Sequence, residues 1–145
     1  MRYTEIDLQI EDIMWFGVDT RGHILAFTSG GCGSVPEFVC QSKEETEELE
    51  MFFLESLDRT TWGKLLIEAD GSALAEDGAE LAGKGIYCFD VSFDEEHAEE
   101  YVKIAVPEKP ICVEDLPAKI QNFLKHHNID ADAAADKYIQ IKHAY

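Results

Sequence analysis

A cysteine stands among three glycines in the segment 27–38, FTSGGCGSVPEF, directly after an apolar run. Cys32 could act as a nucleophile there if a neighbouring base, cation or helix N-terminus lowered the pKa of its thiol. His23 lies on the adjoining strand of a predicted hairpin and is the candidate base. The sequence therefore offers one enzymatic hypothesis, a thiol–imidazole pair formed by Cys32 and His23.

Two features of the sequence weigh against this enzyme. The surroundings of Cys32 are strongly acidic, and negative charge raises the pKa of a thiol rather than lowering it. No family-type cysteine signature is present. Catalysis by Cys32 is therefore kept as an alternative function. The other histidines that could serve as its base are His97, His126, His127 and His143.

The same glycines do not form a phosphate-binding loop. A P-loop needs GxxxxGK[ST], and a dinucleotide loop needs GxGxxG between a strand and a helix. Here Gly30, Gly31 and Gly33 are followed by Pro36, and neither glycine spacing nor a Lys-Ser/Thr pair occurs. We therefore expect no nucleotide cofactor.

A histidine pair near the C-terminus raises the question of a metal ion. His126 and His127 stand close in sequence to Asp130 and Asp132, and all four are residue types that bind metals. Adjacent histidines on a helix point in different directions, and neither HxxxH nor HExxH occurs. We therefore expect a polar helix end here, with no metal site and no cofactor.

Acidic residues dominate the charge, since 30 Asp and Glu against 12 Lys and Arg give a net charge of −18. Such a field repels nucleic acid and anionic lipid, and it accelerates association with basic proteins. The acids gather at 44–50, 76–80 and 94–100, and these clusters indicate solvated faces. Either they only keep the protein soluble, or one face binds a basic protein partner. The candidate partner-binding residues are Glu44, Glu45, Glu47 and Glu48. Aromatic residues that could anchor such a partner are Trp15, Phe16, Phe38, Trp62 and Tyr87. Most of these aromatic residues stand in apolar runs that are typical of a core.

A hairpin and a helix are the clearest elements that would position these residues. Two apolar runs, 13–19 and 23–29, flank a turn in which Gly22 can adopt the required positive φ. Ser42 begins a predicted capping box, and apolar residues recur behind it at helical spacing. The pattern predicts a helix over 43–57.

Further segments complete a single α+β domain over residues 1–145. Strands are predicted at 85–93 and 101–106, and Asp115 is the predicted N-cap of a second helix. We expect a mainly antiparallel sheet of about four to five strands with two to three helices packed on it. The segments whose structure the pattern leaves open are 60–83, where Gly78 interrupts an Ala-rich run, and 128–145, where 138–144 fits a strand or a helix.

Targeting signals and cysteine usage bear on the compartment. No segment has the apolar core of a signal peptide or the length of a membrane span. The four cysteines, Cys32, Cys40, Cys88 and Cys112, lack CxxC spacing, and without a secretion signal we expect them to stay reduced. We therefore expect a cytoplasmic protein that binds neither membrane nor nucleic acid.

The order of these features resembles a group of small acidic bacterial proteins. The resemblance lies in WFGVDTRGHILAFTSGG, GIYCFD and YVKIAVPEKPICVEDLPAKI, within residues 12–127. Some members of that group are proposed immunity proteins of secreted or contact-delivered toxins. The resemblance implies a protein that neutralises a cognate toxin by binding it, and it implies no catalytic residue. The leading hypothesis is an acidic, immunity-type protein-binding domain, and the alternatives are an enzyme using Cys32 and a ligand-binding domain.

Overall fold

The hairpin predicted from the sequence forms one edge of the sheet. In the computed structural model, which describes residues 1–145, Met14–Val18 (β1) pairs antiparallel with Ile24–Thr28 (β2). Gly22 has a φ of 80° in the connecting turn, as the turn requires. The buried carboxylate of Asp19 closes this turn, because its Oδ1 accepts two backbone N–H groups of the turn, both at 2.9 Å.

A mixed six-stranded sheet forms the centre of the molecule. The remaining strands are β3 (Gly63–Leu65), β4 (Tyr87–Val91), β5 (Tyr101–Pro107) and β6 (Tyr138–Ile139). The strand order is β1-β2-β4-β5-β3, and β6 pairs with β5 outside this path. β2 and β4 are parallel, and every other pair is antiparallel. The α+β class and the mainly antiparallel sheet are confirmed. The short strand β3 was not predicted, and β6 falls in the segment that fitted either a strand or a helix.

Short helices cover the sheet. The α-helices are α1 (Glu5–Ile10), α2 (Glu37–Cys40), α3 (Lys43–Met51), α4 (Ala73–Gly83) and α5 (Ala118–Leu124). α3 continues into a π-helical turn at Phe52–Ser56, so the helix predicted over 43–57 is confirmed. Ser42 caps it, with its Oγ accepting the N–H of Glu45 at 3.2 Å. No helix of the chain is long and apolar enough to cross a membrane.

Both faces of the sheet are buried, because successive side chains on each strand point to opposite sides. Trp15, Phe27 and Phe89 lie on the face covered by α1, α2 and the segment 129–141. Phe16 lies on the other face, which α3, α4 and α5 cover. Trp15 and Phe16 are therefore core residues and do not act as surface anchors.

The second predicted helix begins later than the sequence suggested. Asp115 does not cap it, because Val113–Asp115 forms a separate 3-10 turn and α5 starts only after Pro117. The backbone of Leu116 is extended, with φ −91° and ψ 157°. The proline that follows it disfavours helical backbone at this position. The Asp115 prediction is therefore wrong for α5. Of the two open segments, 60–83 contains β3 and α4, and the chain end contributes β6.

A buried lysine joins α4 to the end of α3. Lys84 donates from Nζ to the carbonyl oxygens of Phe53 and Leu54, both at 2.8 Å. The last carbonyl groups of a helix lack partners within the helix, so these bonds satisfy them. Lys84 thereby fixes the spacing of α3 and α4, the two helices that enclose the cleft described below.

Candidate functional site

The glycine-rich loop after β2 is held in place by neighbouring side chains. The N–H of Gly30 donates to Oδ1 of Asp12 at 2.8 Å, and the hydroxyl of Tyr101 donates to the carbonyl of Ser34 at 2.7 Å. Cys32 is an exposed free thiol in this loop. The loop is therefore a fixed connection that presents Cys32 to solvent.

The structure does not bring Cys32 and His23 together. They stand beyond opposite ends of β2, a five-residue strand that spans about 17 Å at roughly 3.4 Å per residue. The buried Nδ1 of His23 has no hydrogen-bond partner and lies 3.9 Å from Oδ2 of Asp19. His23 therefore cannot take a proton directly from the Cys32 thiol in this fold.

His143 is the histidine that shares a cavity with Cys32. Both residues line a cavity of about 360 Å³ beside α1 and the glycine-rich loop. The N–H of Val35 donates to Nδ1 of His143 at 3.0 Å, so the proton of the neutral ring lies on Nε2. With one nitrogen occupied and the other a donor, neutral His143 has no free lone pair to accept the thiol proton.

The other cysteines are shielded from reaction. Burial raises the pKa of Cys40 to about 11 and also raises the pKa of Cys88. The pKa of Cys112 is raised by burial and then by the charges of neighbouring acids. A raised pKa leaves less thiolate at neutral pH, so none of these cysteines is an activated nucleophile.

The four glutamates predicted to bind a partner are all exposed on α3. Glu44 accepts from the N-terminal amino group at 2.6 Å, and Glu48 accepts from Nζ of Lys119 at 3.1 Å. Glu45 and Glu47 form no ion pair. Two of the four carboxylates are therefore available to a cation from outside the chain.

Between α3 and α4 a cleft of about 150 Å³ opens onto the sheet. Strands β1, β2, β4 and β5 form its floor, and α4 forms one wall. Three carboxylates join this lining: Asp12 before β1, Glu50 of α3 and Asp77 of α4. The apolar side chains around them include Met14, Ala26, Leu74, Leu81, Cys88 and Ile104.

Glu50 and Asp77 carry charge that nothing in the chain neutralises. Burial raises the pKa of Glu50, and the charges of Asp77, Glu47 and Asp12 raise it further. Burial raises the pKa of Asp77 too, with a smaller contribution from neighbouring acids of α4. Neither carboxylate accepts a hydrogen bond or forms an ion pair, and no Lys or Arg lines the cleft.

This arrangement suits a cation with an apolar body rather than a metal ion. No group of three or more His, Cys, Asp or Glu side chains is placed to hold a metal ion. Hard metal cations need a shell of several oxygen ligands, whereas most of the residues that line this cleft are hydrophobic. An organic ammonium ion can place its charge at the carboxylates and its hydrocarbon against the floor.

The prediction that the acidic clusters are solvated faces is wrong for two acids of the cleft. Glu50 and Asp77 are partly buried. Asp77 follows Leu74 by three residues and precedes Leu81 by four, a spacing that places all three on one side of a helix. Glu50 precedes the buried Phe53 by three residues. Helical spacing was therefore the signal that could have separated these two acids from their exposed neighbours.

Comparison with known proteins gives no relative from which a function could be transferred. No family model matches the chain, and no curated protein and no solved structure matches it. The function is therefore inferred from the geometry and charge of the chain itself.

Proposed function

We propose that the chain binds a basic protein and inhibits it by covering its surface, in the manner of an immunity protein. The supporting observation is a series of acids without cation partners on α3 and α4: Glu45 and Glu47 are exposed, and Glu50 and Asp77 are partly buried. Acids that served only solubility would lie in solvent, whereas burying unpaired carboxylates beside one another costs folding free energy. Burial raises the pKa of Glu50 and of Asp77, and carboxylates with a raised pKa occur at functional sites.

An exposed tryptophan offers the apolar contact that charge alone does not supply. Trp62 is 77% exposed and directly precedes β3, which packs against α4 at the edge of the sheet. Ion pairs between exposed side chains add little affinity, whereas aromatic anchors contribute much of the binding energy of an interface. In this proposal the acids speed the encounter, and Trp62 slows dissociation.

Two variants of equal net charge test whether the α3 face steers association. The binding partner in this experiment is a basic protein captured on the immobilised native chain. In the first, Glu44, Glu45, Glu47 and Glu48 are changed to Gln. In the control, four exposed acids outside α3 are changed to Gln, namely Glu95, Glu96, Glu108 and Glu114.

We expect the α3 variant to lower the association rate constant about tenfold at low salt, because charges near the contact surface steer the encounter. The control should lower it much less, because its four acids lie outside α3 and therefore outside the proposed contact surface. An α3 variant that associates as fast as the native chain would refute this role of the glutamates.

A further inference from the structure

We propose that the cleft between α3 and α4 takes up one lysine side chain of the basic partner. This inference rests on the proposed function and names the residue type that the cleft recognises. It starts from the cavity itself, a recess lined mainly by hydrophobic residues together with carboxylates from three separate parts of the chain. Its occupant must therefore combine a hydrocarbon body with a positive charge.

The recess has the volume that a lysine side chain needs. Its volume is about 150 Å³, and a cavity of about that size in another protein holds a benzene molecule. Lysine has a side chain of five non-hydrogen atoms, one fewer than benzene. Its methylene groups can therefore lie against Met14, Ala26 and Leu74 while the ammonium group reaches the carboxylates.

The placement of the carboxylates favours an ammonium group over a guanidinium group. Glu50 lies on α3 and Asp77 lies on α4, so the two carboxylates without partners approach the cleft from different helices. An ammonium group has three donors that can turn towards separate acceptors. A guanidinium group is rigid and planar, and it forms its best hydrogen bonds with both oxygens of a single carboxylate. Lysine therefore fits the cleft better than arginine.

No lysine of the chain itself fills the cleft, because the lysines on the surrounding helices have other partners. Lys43 of α3 lies 3.0 Å from Asp7, and Lys119 of α5 lies 3.1 Å from Glu48. Lys84, just after α4, donates to backbone carbonyls at 2.8 Å. The negative charge of the cleft is therefore left for a cation from outside the chain.

Titration with n-butylammonium, which has the atoms of a lysine side chain, tests the cleft directly. n-Butanol has the same hydrocarbon chain without the charge and serves as the control ligand. We expect saturable shifts of the backbone amide resonances of Ala26, Leu74 and Cys88, with a dissociation constant in about the millimolar range. Shifts of the same size with n-butanol would overturn the proposal, because the carboxylates would then have no role.

Two double variants of equal net charge make this titration specific to the cleft. E50Q/D77N removes the cleft charge, and E55Q/D58N removes two exposed acids outside it. We expect the first to bind n-butylammonium at least about tenfold more weakly than the native chain and the second to bind it equally well. Equal binding by both variants would overturn the proposal.

The same variants in the partner complex separate this inference from the proposed function. We expect E50Q/D77N to raise the dissociation rate constant at least about tenfold, because a buried charge pair acts mainly on dissociation. A basic partner that is steered by α3 but dissociates equally from both variants would overturn the lysine inference and leave the proposed function standing. A chain that binds n-butylammonium but no basic protein would refute the proposed function, and with it a partner lysine as the occupant.

Discussion

Removing the charge of Asp77 should stabilise the folded protein. The carboxylate accepts no hydrogen bond, and burial followed by the charges of Glu76 and Glu80 raises its pKa. Because its pKa is higher in the folded than in the unfolded state, the folded state keeps its proton to higher pH. Stability therefore falls as the pH rises from the unfolded pKa through the folded pKa, and it stays reduced at neutral pH.

We expect Asp77→Asn to raise the free energy of unfolding by about 0.5–2 kcal/mol at about pH 7, the usual gain from improving a charge distribution. The side chain is only partly buried, so solvent screening keeps the gain within this range. In melting temperature the gain corresponds to roughly 2–4 °C per kcal/mol. Towards about pH 3 the carboxyl is protonated in both states, and the gain should vanish.

Urea unfolding of the native chain and of D77N across this pH range measures the difference. D58N removes an exposed acid outside the cleft, and its effect should stay within about 0.5 kcal/mol. If D77N and D58N changed the free energy of unfolding equally, or if the effect of D77N did not vary with pH, Asp77 would not be a partly buried and unneutralised carboxylate.

Two further predictions concern the thiols and the joint between α3 and α4. Iodoacetamide at about pH 7 should modify Cys32 no faster than free cysteine and leave Cys40 and Cys88 unmodified, because burial raises the pKa of both. Mass spectrometry of peptides after timed quenching checks this, and a much faster Cys32 would support the enzymatic alternative instead. Lys84→Met should lower the free energy of unfolding by about 1–3 kcal/mol, because two carbonyl groups lose their donor. Urea unfolding measures this loss, and an equal loss in exposed Lys109→Met would contradict a buried cap at Lys84.

Several elements could be predicted from the sequence because they depend on residues close together along the chain. The hairpin follows from two apolar runs around Gly22, and α3 follows from Ser42 and the apolar spacing behind it. The later start of α5 was also present in the sequence, since Pro117 disfavours helical backbone at Leu116. That prediction gave too much weight to Asp115 as a cap.

Features that join distant parts of the chain could not be predicted in this way. β2 and β4 pair in parallel although three α-helices and a strand separate them along the sequence. No local sequence pattern predicts which strands become neighbours in the sheet. His143 likewise reaches the cavity of Cys32 from the far end of the chain. The cleft could be predicted only in part. The spacing of Leu74 and Leu81 places Asp77 on the inner side of α4, whereas Glu50 lines the cleft only because α3 lies beside α4.

The association rate of the purified partner at two salt concentrations tests the central claim most directly. A chain with a net charge of −18 should steer a basic protein strongly at low ionic strength. We expect the association rate constant to fall about tenfold between about 20 and about 200 mM salt, as the Debye length shortens. A partner that associates at the same rate at both concentrations, or one that is itself acidic, would contradict binding driven by the acidic face.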